Sequence, residues 1–127
     1  MIVEDYDSEH EVTTPEELEA ALRKRRDGGI NSFWLSHVVD EHPKLALLVK
    51  EDLASVHYFP KERHAGFQSV AKEPGPDPYG TTVFFVRPTE KVWVVNYAII
   101  PFSDALKAAQ EFAISPTLPK SVEWDEM

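Results

Sequence analysis

The chain has 127 residues, no cysteine, 43% hydrophobic and 11% aromatic side chains, and a net charge of −9. That size and apolar content suit one folded domain over residues 1–127 and exclude a disordered tail, and the missing thiols exclude disulfides, thiolate catalysis and cysteine metal sites. No signal-peptide pattern opens the chain and no apolar run approaches the ~20 residues of a membrane span, so a soluble cytoplasmic protein with no membrane partner is expected.

Charge is concentrated at the front. Residues 1–20 carry Glu4, Asp5, Asp7, Glu9, Glu11, Glu16, Glu17 and Glu19 without a single Lys or Arg. Carboxylates repel phosphate, which argues against nucleic acid. They attract a basic protein surface, although the same charge also serves plain solubility.

Taken in order, residues 1–12 are too charged for a buried strand and read as a loose edge element anchored by Ile2, Val3, Tyr6 and Val12. Thr14, Pro15 and Glu17 form a capping box, which starts a helix with an apolar stripe of Leu18, Ala21 and Leu22. Asp27-Gly28-Gly29 is expected to end it, placing Arg23 to Arg26 in the last turn, opposite the negative end of the helix dipole. From Asn31 the period becomes two, with Phe33 and Leu35 alternating against Trp34 and Ser36. Turn clusters at 40–43 and 50–52 then divide strands at 45–49 and 54–59, an antiparallel meander. Residues 66–70 are a weaker strand, and 72–80, with three prolines and two glycines, a stiff loop. Thr81–Val86 and Val92–Ala98 are almost continuously apolar, which predicts central strands buried on both faces. Phe102, Ala105, Leu106, Ala109, Phe112 and Ala113 share one helical face, and Pro116 and Pro119 end that helix. A terminal strand turns Val122 and Trp124 inward, so Trp124→Ala is expected to cost ~3–5 kcal/mol if the ring is buried. The fold class is α+β: a single antiparallel or mixed sheet of about six strands with two helices packed on it.

Chemistry is sparse. His10, His37, His42, His57 and His64 show no metal-ligand spacing, although His37 and His57 lie on opposite sides of a hairpin and could meet. Glu123 and Asp125 share a strand face opposite Trp124 and read as a solvated edge. Ser36-His37 and Ser55-x-His57 lack a nucleophile elbow, and no glycine-rich phosphate loop opens a helix. Trp34, Tyr58, Phe59, Phe84, Phe85, Trp93 and Tyr97 read as core aromatics, because no Lys or Arg surrounds them as a stacking platform requires. The residues point to an acidic α+β binding domain with no cofactor, no metal and no catalytic residue.

The ending PFSDALKAAQEFAISPTLPKSVEW resembles the C-terminal pattern of the immunity-protein-one family of bacterial polymorphic toxin systems, at Pro101, Glu111, Phe112, Ala113, Pro119, Glu123 and Trp124. The front, DYDSEHEVTTPEELEAALRKR with NSFWLS and PKLALLVKEDLASVHYF, is similar to the immunity protein paired with a secreted double-strand-DNA cytosine deaminase toxin. Between them, residues 60–100 match only in strand pattern. The resemblance implies a non-enzymatic inhibitor that binds a cognate toxin domain 1:1 in the cytoplasm and sterically blocks its active site. That toxin would be of deaminase or nuclease type and, by charge complementarity, basic. From position alone, the contact residues are the acidic and aromatic groups Asp5, Asp7, Asp40, Glu41, Asp77 and Tyr79. Two other readings stay open: a non-inhibitory adaptor or chaperone for a secretion-system cargo, and a small hydrolase using Glu123, Asp125 or a histidine.

Overall fold

A computed structural model describes residues 1–127. In chain order the elements are β1 (Ile2–Glu4), β2 (Glu9–Glu11), α1 (Pro15–Leu22), β3 (Ile30–Ser36), β4 (Lys44–Lys50), β5 (Leu53–Phe59), β6 (Phe67–Val70), β7 (Thr81–Arg87), β8 (Glu90–Val95), a 3₁₀ turn (Asn96–Ala98), β9 (Ile100–Pro101), α2 (Phe102–Ile114) and β10 (Glu123–Glu126). The two-residue alternation of the central strands sets the architecture. Leu35, Leu45 and Tyr58 stand in register across β3, β4 and β5, as do Phe33, Leu47 and Val56. All six are buried on one face of the sheet. Helices α1 and α2 cover that face with Leu18, Leu22, Leu106 and Phe112, forming the main core. Each such fully buried side chain contributes ~1.5–3 kcal/mol. No helix is long and apolar enough to cross a membrane.

The α+β class and the two helices agree with expectation, and the meander β3–β4–β5 is as read. The strand count and the single sheet are not. The main sheet has eight strands in the order β10-β6-β5-β4-β3-β1-β2, with β9 also beside β5, while β7 and β8 pair only with each other. Every pairing is antiparallel. Two features of the chain explain the difference. The charged front forms real strands: β1 pairs with β3, and Val3 is fully buried opposite Leu35 while its neighbours Ile2 and Glu4 turn to the other face. One inward residue in three is enough to anchor this short strand between β3 and the edge strand β2. The apolar β7–β8 pair is not central, because the free edge of β5 is shared between β6 and β9 and leaves no vacancy. The hairpin instead lies across the sheet's second face, where Phe84 and Val94 pack with Ala98 and Leu48 in a small separate core. Two side chains pin it from below: the Tyr6 hydroxyl donates to the Phe85 carbonyl (2.5 Å) and Lys50 Nζ to that of Val83 (3.1 Å).

Helix α1 begins as its capping box predicts, with the Glu17 N–H donating to Thr14 Oγ1 at 3.1 Å. It ends four residues before the Arg23–Arg26 run is complete, at Leu22, so these cations do not occupy its last turn. Arg25 terminates it from outside by donating to the Leu22 carbonyl (2.6 Å), and the Arg26 N–H turns to the Ile30 carbonyl (2.8 Å). Gly29, with a φ of +72°, then admits the Glu51 carboxylate where a Cβ would collide with it.

The C-terminal stretch locks onto this frame. Ser121 donates both its N–H (3.2 Å) and its hydroxyl to the Glu111 carboxylate on α2. Trp124 sits opposite Ser69 of β6, and its Nε1 donates to the Pro119 carbonyl at 2.7 Å. Its ring is half-buried against the main core. Trp124→Ala is therefore expected to cost about 2 kcal/mol, below the ~3–5 of a fully enclosed aromatic. A urea denaturation midpoint equal to wild type would refute that packing role.

Candidate functional site

The second face of the main sheet carries the other half of each alternating strand, and β7–β8 covers only part of it. Outside the hairpin's cover, Trp34 of β3, Ala46 of β4 and His57 of β5 stand in register across neighbouring strands. Phe59 joins them: its ring lies 5.5 Å from that of Trp34 and stacks at 6.0 Å on His57. With Val86, Arg87 and Val92 at the hairpin end, these residues line an open cavity of about 410 Å³. Burial lowers the pKa of His57, which favours its neutral form.

A second cavity of about 270 Å³ shares Trp34 and continues toward the front of the chain. Its lining includes Ile2 and Val39 and the carboxylates of Glu4, Glu9 and Asp40, against one cation, Lys44. Glu4 and Glu9 face each other across the β1–β2 pair, and Lys44 Nζ sits 6.0 Å from the Trp34 ring centroid. The two cavities adjoin at Trp34 and together are called the trough, with an aromatic floor, an acidic end and a hairpin wall. Trp34 joins them, 43% exposed.

The six residues expected at the contact surface do not form one site. Asp40 borders the trough, and Glu41 is exposed beside it in the β3–β4 turn. Asp77 and Tyr79 lie in the 71–80 loop, where Asn96 Nδ2 binds the Asp77 carbonyl and Tyr79, 84% exposed, meets Tyr97 edge-on at 6.1 Å. Asp7 is exposed but pairs with Arg26. Asp5 is a structural group: its side chain is 2% exposed. Its Oδ1 accepts the N–H groups of Asp7 and Ser8, each at 2.9 Å, and the Ser8 hydroxyl at 3.2 Å. Burial pushes the Asp5 carboxyl up, but these hydrogen bonds and the charge of Arg26 outweigh it and hold its pKa below the ordinary value. A depressed carboxylate stabilises the fold above about pH 4 and loses that contribution as the pH falls through the lowered folded-state value. The stability gap between wild type and Asp5→Asn should thus stay constant from neutral pH to about pH 5 and shrink below about pH 4. Urea midpoints across that range measure it, and a gap that stays constant in acid would refute the assignment.

The acidic front is accordingly less free than it looks in sequence. Arg26 takes Asp5 and Asp7, Arg23 takes Glu19, and Glu17 caps α1, whereas Glu4, Glu9, Glu11 and Glu16 enter no ion pair. His37 and His57 do not meet: His37 lies beyond the end of β3, its Nε2 2.6 Å from the Phe112 carbonyl. No three His, Asp or Glu side chains gather to hold a metal ion. Glu123 and Asp125 lie exposed on an edge strand.

A family model, Immunity protein Imm1, matches residues 6–126, nearly the whole chain. The chain belongs to the Imm1 immunity protein family. No curated protein matches it. Family membership gives the chain an immunity role and a toxin as its partner. Several residues that carried the resemblance have structural duties in this Imm1 chain: Glu111 holds Ser121, Phe112 fills the core, and Pro119 receives Trp124. The C-terminal part of that resemblance therefore lies on the helix-bearing side and its connection, whereas the front motifs NSFWLS and PKLALLVKEDLASVHYF contain Trp34, Lys44, His57 and Phe59 of the trough. Trp34 and Trp93, expected in the core, are instead 43% and 62% exposed, and Phe59 lines the open cavity. For Trp34 the clue was present, because the alternation that buries Phe33 and Leu35 turns their neighbour outward.

Proposed function

We propose that this chain, acting as a single domain in the cytoplasm, neutralises a cognate toxin domain by binding it 1:1 and covering its active site. The match to the immunity family over residues 6–126 carries this reading. The net charge of −9 supports a basic partner, as expected of a toxin that acts on nucleic acid, whether deaminase or nuclease. Opposite potentials raise association toward ~10⁸ M⁻¹s⁻¹ at low salt, which suits an inhibitor that must capture a lethal enzyme quickly. Inhibition is by occupancy, without catalysis or a cofactor. The exposed residues Asp7, Asp40, Glu41, Asp77 and Tyr79 remain proposed contacts; Asp5 acts indirectly by shaping the turn that presents Asp7.

Co-expression with the toxin domain encoded beside the chain's own gene tests the proposal. Growth should be restored, the two chains should co-elute at 1:1, and toxin activity should vanish in the complex. Continued growth arrest with both chains soluble overturns it. A stable complex with full toxin activity would identify the chain as a carrier for its cargo instead.

A further inference from the structure

We infer that the trough on the second sheet face is the centre of the docking surface, and that its occupant is an arginine-bearing segment of the basic toxin domain. This rests on the immunity reading and specifies the surface and the chemistry it selects. The floor supplies flat aromatic area in Trp34, His57 and Phe59, and the end wall supplies the carboxylates of Glu4, Glu9 and Asp40. A guanidinium satisfies both parts at once: it stacks on an aromatic face and forks onto carboxylate oxygens. The ring already has a cationic neighbour in Lys44, which shares its cavity with three carboxylates, and Arg87 at the hairpin end is paired with Glu90 (3.4 Å), so the trough as a whole stays negative.

Other occupants fit less well. A nucleic acid would bring phosphates against Glu4, Glu9 and Asp40. A second copy of this chain would set one acidic wall against another, which costs affinity. A basic segment is attracted by the wall and buries its stems on the aromatic floor. Trp34 lies at the junction of both parts, where a binding hot spot with a polar surround is expected.

Binding of the purified toxin domain to the full chain, followed by biolayer interferometry at low and at physiological salt, tests this. Trp34→Ala should raise Kd by about 30-fold or more, mainly through faster dissociation. The Glu4→Gln/Glu9→Gln double variant should slow association and flatten its salt dependence. Trp93→Ala, on an exposed tryptophan that does not line the trough, should stay within about threefold of wild type, since isolated exposed residues outside an interface change affinity little. Circular dichroism melts confirm folding, and the carboxylate pair tests the surface independently of any disturbance to β3. If the unaltered chain binds the toxin and both trough variants bind it equally well, the trough is excluded and the immunity reading stands. If the unaltered chain does not bind, both fail.

Discussion

Phe112→Ala should remove about 3–5 kcal/mol of stability, a large share of the ~5–15 typical of a domain. The ring has no solvent exposure and sits 5.0 Å from the His37 ring and 6.3 Å, edge-on, from that of Tyr58. It projects from α2 into the inward face of the central strands, so truncation leaves a cavity bounded by a helix and a sheet. Neither can collapse without giving up backbone hydrogen bonds, so the cavity's cost adds to the lost transfer energy. The urea midpoint should fall by roughly 2 M, taking a slope of about 1–3 kcal/mol per molar. Ile114→Ala, two residues on but 87% exposed, should change stability by less than about 0.5 kcal/mol. Equal effects at the two positions would show that α2 does not present Phe112 to the core.

Ser69→Ala is expected to cost about 2–4 kcal/mol, although it deletes one oxygen. The Ser69 hydroxyl is fully buried, accepts the Val56 N–H at 3.0 Å and donates to the Ala98 carbonyl at 2.9 Å. β6 pairs with β5 only at His57 and Tyr58, so this one hydroxyl extends the ladder by a step and ties the 3₁₀ turn to the sheet. Its loss strands a buried donor and a buried acceptor. Amide exchange at Val56 should accelerate along with the fall in midpoint. Ser55 provides the contrast, since its buried hydroxyl has no partner. Ser55→Ala should leave stability unchanged or raise it by up to about 1 kcal/mol, because an unsatisfied polar atom is removed. Ser69→Ala as mild as Ser55→Ala would remove the bridging role.

Local chemistry carried much of the fold. The Thr14–Glu17 box, the period-two run from Phe33 to Phe59 and the single apolar face of α2 each specify an element from neighbouring residues alone, and each is found where the pattern puts it. The pattern was less informative where one anchor does the work, as Val3 does in β1, or where apolarity has two possible causes, as in β7–β8. Helix α1 also stopped earlier than its glycines imply, because Arg25 reaches back to the Leu22 carbonyl. The candidate site was harder still. Glu4, Glu9, Trp34 and Phe59 come from four strands, and nothing in their spacing joins them; only pairing β2 to β1, β1 to β3, β3 to β4 and β4 to β5 brings them to one face.

By itself, the sequence determined that this is an acidic α+β chain with two helices on a sheet built around an antiparallel meander, and it carried the pattern of its family. Those properties are local or additive: periodicity reports which side of each strand is apolar, and charge is a sum over residues. Only the tertiary structure decided which carboxylates are spent on internal arginines, where the apolar hairpin finds its partner, and which part of the second sheet face is left open. These depend on which strand edges are already occupied and on which charges meet across the fold. A trough floored by Trp34 and ending at Glu4 and Glu9 is left where β7 and β8, paired only with each other, cover part of the second sheet face.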